Sequence, residues 1–598
     1  MRIRNMARGL GALAAVVAAT SCNSLDIQNP NEPSSRILTD PNVLESVAGG
    51  TMRQWFNSYS VLEGTGVLNT QARTLSASWN NGNMNFYSSI NISPTDTNAD
   101  PSTWTRSTRS WQNDLSAAGR TSVEVEWFGM YSALSAANDA LKAIRAGGVI
   151  IGSETRTRRA ETIAQLMQAA SLMVIALNYD QGYYVDENVK TEDLPSLKRI
   201  PRRELRDSAL KKLDAAIALA NANTFTTEPG WANGITYSNT DIAKIANTMA
   251  AMLLTWYPRD DAEAAAAGVV DWAKVASYAS KGMSTGTTPV TLAFIGDGCT
   301  AWCDNMMNWF TDWSSGRVST RVAHFLDPAT QIDPYPLGVG SAQPNSPDKR
   351  MGDGSFGDET LQEVYDNIPR TPNAGTDFAY SPTGEIYNNA RGFYHQSNVG
   401  IIRWDESKNQ DPTKQWASYG YSPMITATVN DLLWAEALLR QGGAANLTTA
   451  AGLIDKTRVG RGGLSSAALA AGTPGSPADG PCMSNGKLAK DGGPCTLWSM
   501  LLYENEIELL QLGPASYWNQ RHLPVVKATG WERATGCRKP PTGCTPNPNT
   551  IFNGPRYIQG LLPGTPREMP VPAKELAIKA EGFYTFGGSQ PQKGSETP

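Results

Sequence analysis

The stretch EVEWFGMYSALSAANDALKAIRA, residues 124–146, decides the fold that this sequence predicts. Its larger side chains recur at steps of three or four residues: Trp127, Tyr131, Leu134, Asn138, Leu141 and Ile144. That spacing places them on one stripe of an α-helix. A single helix cannot bury such a stripe by itself, so the stretch predicts a helix packed against several others.

The same periodicity returns in four later segments, 160–180, 202–220, 241–257 and 272–282. Residues 147–159, rich in turn-forming and charged side chains, separate the first two helices and predict an antiparallel hairpin. Stacked helix pairs form a continuous core, and their periods resemble tetratricopeptide repeats without the sequence signature of those repeats. We therefore predict a mainly α, helical-repeat scaffold with long irregular loops and minor β structure. The helices are expected to be scaffold, with the activity elsewhere.

Further helices are predicted on both sides of this spine. Asp40 followed by Pro41 is a typical helix start, and that helix is expected to reach about Tyr59. Helical periodicity also marks 425–441 and 447–457, whereas 284–422 lacks it apart from a short predicted strand at 400–404. The run GDGSFG at 352–357 matches the dinucleotide pattern G-x-G-x-x-G, but it neither follows a predicted strand nor opens a helix, so the match fails.

The N-terminus predicts export and lipid attachment. Arg2, Arg4 and Arg8 precede a short apolar run, 9–19, which is about half the roughly 20 residues that span a bilayer. The run ends in Ala19-Thr20-Ser21-Cys22, which resembles a bacterial lipobox with Ala19 in place of the usual leucine. We expect residues 1–21 to be a signal peptide and Cys22 to be acylated. The alternative is a plain secretory signal with an incidental cysteine. No other stretch reads as apolar enough to span a membrane.

The other cysteines fall into three pairs that are local in sequence. The pairs are Cys299 with Cys303, Cys482 with Cys495, and Cys537 with Cys544. Each pair lies in a loop-like segment, which is typical of disulfides formed in an oxidising compartment. A metal site is the competing interpretation, but the three histidines, His324, His395 and His522, are spread along the chain. We predict three disulfides and no metal.

Several segments, taken in order, resemble the SusD/RagB family of outer-membrane lipoproteins. Near the start these are LDIQNPNEP at 25–33 and LTDP at 38–41. Later they are WAEAL at 434–438, IDKTRVGRGGL at 454–464, REMPVP at 567–572 and GFY at 582–584. Glu504, Glu508 and Gly513 fit a further helix motif of the family, while Asn505 and Leu512 depart from its arginine and glutamate. The resemblance covers the chain from Cys22 almost to its end.

That resemblance implies a lipid-anchored protein of the outer membrane that faces the cell surface. Such proteins cap a TonB-dependent transporter, a SusC-like barrel, and capture oligosaccharides or, in some members, peptides. It also implies an N-terminal SusD-like region at 22–235 and a C-terminal region at 236–598. No cofactor is implied. The chain has 51 Lys and Arg against 56 Asp and Glu, and this net charge of −5 lacks the positive excess expected of a nucleic-acid-binding protein.

Two function classes remain open, a binding lipoprotein and a secreted carbohydrate-active enzyme such as a glycoside hydrolase. The sequence has no Gly-x-Ser-x-Gly or His-Glu-x-x-His motif. A glycosidase needs only two carboxylates brought together by folding, and Glu504 and Glu508 lie one helical turn apart. Like-charged neighbours on a helix are more often a solvated face or partners in local ion pairs. We therefore predict no enzyme, with a purely structural lid as a third possibility.

Aromatic side chains outside the periodic helices predict the ligand surface, because a flat ring stacks on the apolar face of a sugar. They come from two loop-like regions: Trp79, Tyr87, Trp104 and Trp111 from the first, and Trp302, Trp309 and Trp313 from the second. The disulfide at Cys299 and Cys303 would preorganise Trp302, which reduces the entropy lost on binding. The alternative is that these rings fill small cores beneath the loops.

Overall fold

The architecture follows from long helices joined by loops that carry only short strands. The computed structural model describes residues 39–77, 80–87, 108–306, 316–331, 333, 343–353, 375–380, 397, 399–403, 419–529 and 557–591. The helices are α1 Pro41–Tyr59, α2 Val67–Gln71, α3 Met84–Tyr87, α4 Thr121–Arg145, α5 Glu154–Asn178, α6 Arg202–Ala222, α7 Asn239–Trp256, α8 Asp261–Ala265, α9 Trp272–Ala279, α10 Thr320–Leu326, α11 Ala427–Gln441, α12 Ala444–Arg458, α13 Leu497–Glu508, α14 Ala515–Arg521 and α15 Ala573–Ile578. The strands are β1 Leu75–Ala77, β2 Gln181–Gly182, β3 Ile200–Pro201, β4 Leu292–Asp297, β5 Gly316–Val318, β6 Phe378–Tyr380, β7 Val399–Ile401, β8 Tyr419–Ile425, β9 Val526–Lys527 and β10 Tyr557–Gln559.

Helix α1 begins where the sequence predicts. The Asp40 carboxylate accepts a hydrogen bond from the backbone N–H of Asn42 at 2.9 Å, and Pro41 occupies the first helical position. The aspartate thus satisfies one of the free N–H groups of the first turn, and proline has none to satisfy. Both the start and the predicted end at Tyr59 are confirmed.

Helix α5 is buried on every side rather than along one stripe. It packs against α1, α4, α6 and α7, and all residues from Ala160 to Asn178 are buried. By length and composition it could span a membrane, with a mean hydropathy of 1.4 over 18 residues, so the expectation that no such stretch follows the signal peptide is wrong. Those 18 residues are all buried inside the protein, which makes α5 the central core helix.

The α4–α5 hairpin is confirmed, but α5 begins six residues earlier than predicted. Ser153 caps the helix by accepting a hydrogen bond from the backbone N–H of Arg156. The first turns then carry arginines on an exposed side, where Arg158 pairs with Glu154 and Glu161 at 2.7 Å. The apolar period therefore starts later than the helix itself.

The helices pack one against the next along the chain. Contacts run from α4 to α5, α6, α7, α9, α11, α12 and α13 in that order, and one hydrophobic cluster extends through them. The helical-repeat scaffold is thus confirmed. Helices α6 and α7 pack together across the predicted boundary between residues 235 and 236, and that division of the chain stays a prediction.

The described strands form two-stranded antiparallel pairs, as the prediction of minor β structure expects. The longest pair joins β4 to β8, with Ile295 opposite Tyr421. It ties residues just after the spine to residues just before α11. The predicted strand at 400–404 is present, shifted slightly to Val399–Ile401.

Buried arginines close the carboxyl ends of the two innermost helices. Arg521 donates to the carbonyl oxygens of Leu177 at 2.8 Å and Trp256 at 2.7 Å, in the last turns of α5 and α7. Arg259 donates to the Ala176 carbonyl at 2.9 Å and pairs with Glu568 at 3.2 Å. These carbonyl groups have no partner within their own helices, and the guanidinium groups supply one.

Two of the three predicted disulfides are present. Cys299 bonds to Cys303 with a Cα–Cα distance of 4.1 Å, and Cys482 bonds to Cys495 with one of 5.4 Å. Cys537, Cys544 and the acylation candidate Cys22 lie outside the described residues, so the third disulfide and the lipid stay predictions.

Candidate functional site

The two regions predicted to carry the ligand surface meet at a small sheet. Strands β1 and β5 pair antiparallel, with Ala77 opposite Gly316 and Leu75 opposite Val318. Ala77 lies two residues before Trp79 and Gly316 three residues after Trp313, so the pairing of these strands brings one point of each region side by side. Strand β7 packs on β5, and its partner β6 completes the group. We call β1, β5, β6 and β7 together the loop base.

A glycine holds the same two regions close together beside the loop base. A Cβ atom added to Gly66 would lie 3.0 Å from Sδ of Met84 and 3.2 Å from Sδ of Met306. Met84 belongs to the first region and Met306 to the second. A side chain at this position would displace one of the two sulfur atoms, so both regions pack closely against Gly66. The turn at Leu62–Gly66 is therefore a second place where the two regions meet.

Trp302 lies on a loop that is fixed from several directions. The Asp297 carboxylate accepts hydrogen bonds from the backbone N–H groups of Thr300, Ala301 and Trp302, and the disulfide closes the same loop. The ring packs on Phe294 at a centroid distance of 5.7 Å and on Phe56 at 5.9 Å. Trp302 is only 7 % exposed. The Trp302 loop is therefore held in one conformation, as predicted, but in that conformation the ring packs into the core.

Tyr87 and Trp111 are also core residues. Their exposed fractions are 1 % and 2 %, and their ring centroids are 4.9 Å apart. The Tyr87 hydroxyl donates to the Gly119 carbonyl, and the Trp111 indole N–H donates to the Glu568 carbonyl at 2.9 Å. The alternative left open by the sequence, that rings fill cores beneath the loops, thus describes Tyr87, Trp111 and Trp302 in this structure. None presents a face on which a sugar could stack.

The other four predicted rings, Trp79, Trp104, Trp309 and Trp313, lie outside the described residues, and their role stays a prediction. A carboxylate close to Trp302 in sequence is used within the protein. Asp304 is 2 % exposed and accepts hydrogen bonds from the hydroxyls of Ser60 and Ser422. It joins the end of α1 to strand β8 behind the loop base.

A buried network of charges joins three short segments, at 348–350, 375–380 and 399–403, to helix α13. We call these segments the stems. Arg350 pairs with Glu504 at 2.6 Å, Glu508 at 2.8 Å and Asp348 at 2.7 Å. Glu508 also pairs with Arg461 at 2.5 Å and Arg403 at 2.7 Å. Helix α13 is thereby fixed to the stems at 348–350 and 399–403. A third stem joins through Asp377, which pairs with Arg461 at 2.5 Å.

Among the residues that the structure describes, the charges of this network balance. Four arginines (Arg350, Arg403, Arg458 and Arg461) meet four carboxylates (Asp348, Asp377, Glu504 and Glu508). Burial alone would raise the pKa of Glu508, but the guanidinium groups of Arg403, Arg350 and Arg461 outweigh it and lower that pKa to about 2. Burial raises the pKa of Glu504, against the opposing effect of Arg350.

The structure therefore corrects one interpretation of Glu504 and Glu508. They are fully buried, so the solvated-face alternative is wrong, and local ion pairing is wrong as well, because the arginines that pair with them are remote in sequence. Arg350, Arg403 and Asp377 were missed because only the fold brings them to α13. The carboxylates of this network are buried and paired with arginines. Among the described residues, no group of three or more His, Cys, Asp or Glu is arranged to hold a metal ion.

Solved structures with a similar fold include SusD-like proteins. A SusD homologue from Parabacteroides distasonis aligns with a TM-score of 0.52 and 13 % identity, over 90 % of this chain and 93 % of that one. A second structure, crystallised with xylogluco-oligosaccharide, aligns with a TM-score of 0.51 and 13 % identity, over 91 % of this chain and 99 % of that one. No protein-family model and no curated protein matches the sequence. The resemblance to SusD proteins is thus confirmed in the fold, which is SusD-like.

Replacing Arg350 with alanine is expected to destabilise the protein by about 3–5 kcal/mol, because three buried carboxylates would lose their shared partner. Urea unfolding of the full chain measures this. Arg53→Ala, which removes an exposed guanidinium from α1, is the matched control and is expected to change stability by less than about 0.5 kcal/mol. A loss of under about 1 kcal/mol for Arg350→Ala would show that the network does not hold the stems.

Two tryptophans of the second region are expected to behave differently. Trp302→Ala removes a buried ring and should lower stability by about 3–5 kcal/mol. Trp309→Ala should leave the melting temperature nearly unchanged and weaken binding of the best glycan by about fivefold or more, as expected for loss of a stacking ring. Thermal melts and calorimetric titration of both variants test the distinction. A Trp309→Ala protein that melts early yet binds normally would assign this ring to the core as well.

Proposed function

We propose that this protein is a surface lipoprotein that binds an oligosaccharide and delivers it to a TonB-dependent outer-membrane transporter. Acylated Cys22 would anchor it in the outer membrane, and the transporter would be a SusC-like barrel. The proposal assigns binding rather than catalysis to the protein itself.

The observation that carries the proposal is the SusD-like fold combined with the loop base. A structure of this fold holds a xylogluco-oligosaccharide, and it aligns with 91 % of this chain. In the present chain, both tryptophan-bearing regions are anchored on one small sheet, where Ala77 lies opposite Gly316. Aromatic side chains brought to one place on a rigid support are suited to stacking on sugar rings.

The arrangement of charge favours binding over hydrolysis. A glycosidase needs one carboxyl group to donate a proton and a second to act as nucleophile or base, both reaching the substrate. The carboxylates that the structure brings together near the loop stems, Glu504 and Glu508, are fully buried and paired with arginines. Their role is to hold the stems in place.

A binding screen tests the central claim. The full chain would be purified from membranes in a detergent without a sugar headgroup, then titrated with xylogluco-oligosaccharides, other neutral and acidic oligosaccharides, and peptides. We expect saturable binding of at least one glycan class without release of reducing ends. Binding of peptides alone would refute the glycan assignment, and release of reducing ends would identify a carbohydrate-active enzyme instead. Co-elution of a barrel protein during the purification would support the transporter partner.

Cys22→Ser is expected to release the protein from the membrane fraction, because it removes the only residue predicted to carry a lipid. Mass spectrometry of the native mature protein should show the lipid on Cys22. Cys537→Ser is a matched control, since it removes a cysteine that is predicted to pair rather than to be acylated. A Cys22→Ser protein that still sediments with membranes would contradict lipid anchoring at this position.

A further inference from the structure

A cleft of about 520 Å³ opens on the helical spine between α6, α7 and α9. Each helix contributes side chains spaced by one or two turns: Asp214 and Asn221 from α6, Lys244 and Asn247 from α7, and Tyr278 with the following Lys281 from the end of α9. The volume lies within the roughly 300–1,000 Å³ typical of small-ligand sites. None of these residues belongs to the loop base.

Part of this cleft is held rigidly by hydrogen bonds. The Tyr278 hydroxyl donates to the Asp214 carboxylate at 2.6 Å, which joins α9 to α6. Lys244 donates from Nζ to the Thr285 carbonyl at 2.7 Å, which joins α7 to the chain after α9. The walls are therefore fixed relative to one another before any ligand arrives, which lowers the entropy lost on binding.

Other groups in the cleft are free to meet a ligand. Lys281 and Asn221 are exposed, and within the described part of the chain neither side chain has a hydrogen-bond or ion-pair partner. Two ammonium groups, those of Lys244 and Lys281, thus face one carboxylate, and that carboxylate already accepts the Tyr278 hydroxyl. The remaining electrostatic preference is for an anion.

A second, smaller cleft shows the contrast. It measures about 230 Å³ beside α4, and its acidic residues Asp186 and Glu187 are already paired with Lys212 at 3.1 and 3.2 Å. Those two carboxylates are thus satisfied within the protein, and the remaining charged residues of its lining, Asp139 and Lys142, are one carboxylate and one ammonium. In the larger cleft an ammonium and an amide remain available.

We propose that the cleft between α6, α7 and α9 binds an acidic oligosaccharide, with Lys281 recognising a uronate carboxylate. Sugar hydroxyls both donate and accept hydrogen bonds, and the cleft offers both kinds of partner through the exposed amide of Asn221 and the Asp214 carboxylate. The half-buried Tyr278 ring adds an apolar surface for a sugar face. This inference rests on the proposed glycan-binding function and gives the protein a second binding site with its own charge preference.

Calorimetric titration of the full chain with trigalacturonate tests the site, with its methyl ester and a neutral galactose trimer as comparison ligands. Lys281→Gln is expected to weaken trigalacturonate binding by about fivefold, as for loss of one exposed ion pair, and to leave the neutral trimer unaffected. Lys281→Arg should retain most of the affinity. Lys487→Gln removes an exposed ammonium elsewhere and should change nothing. Binding of trigalacturonate should also weaken as salt is added.

Each outcome decides the proposal. The proposal is overturned if trigalacturonate and the neutral trimer bind alike, or if trigalacturonate binding is equal in Lys281→Gln and Lys487→Gln. In either case the glycan-binding function itself survives. It is also overturned if acidic peptides, rather than uronates, bind in a manner that depends on Lys281. If no glycan of any class binds the unaltered protein, the proposed function fails first. Matched melting temperatures for the three variants would exclude a folding defect.

Discussion

The fully buried guanidinium group of Arg350 joins the stems to helix α13 of the helical spine. A buried charge is tolerated only when partners surround it, and Arg350 has three carboxylates within 2.8 Å. Two of those carboxylates belong to α13 and the third to its own stem. The segments that contain Arg350, Asp377 and Arg403 are therefore held together by their shared charges.

Buried arginines also join the C-terminal segment to the N-terminal helices. The segment after β10 returns to the N-terminal helices, where Glu568 pairs with Arg259 at 3.2 Å and Arg202 at 3.4 Å. Arg521 then occupies the carboxyl ends of α5 and α7, whose carbonyl groups would otherwise be buried without donors. Burial lowers the pKa of Arg259, with the neighbouring Arg202 acting in the same direction. The apolar helices α5 and α7 thus have arginine side chains as hydrogen-bond donors at their carboxyl ends.

Sequence periodicity predicted the helices well because the rule behind it is local. Side chains three and four residues apart share a helix face whatever lies beyond, so α1, α4, α6, α7 and α11 fall close to their predicted positions. It placed the start of α5 six residues too late, because the first turns of that helix carry charged side chains and the apolar period begins only at Ala160. The fate of Glu504 and Glu508 could not be predicted, because Arg350 lies 154 and 158 residues away in the chain. The two disulfides could be predicted without knowing the fold, because their cysteines lie only 4 and 13 residues apart.

The tryptophans show why composition alone does not locate a binding surface. A ring outside a periodic helix can face either a ligand or the underside of its own loop, and both positions favour the same residue type. Trp302 takes the second position, held there by Phe56, Phe294 and the Asp297 carboxylate. Its burial, with the disulfide of the same loop, holds residues 297–303 against the core. The buried rings and the ion network therefore act alike at two places, since each fixes from the interior a segment of chain that lies outside the helices.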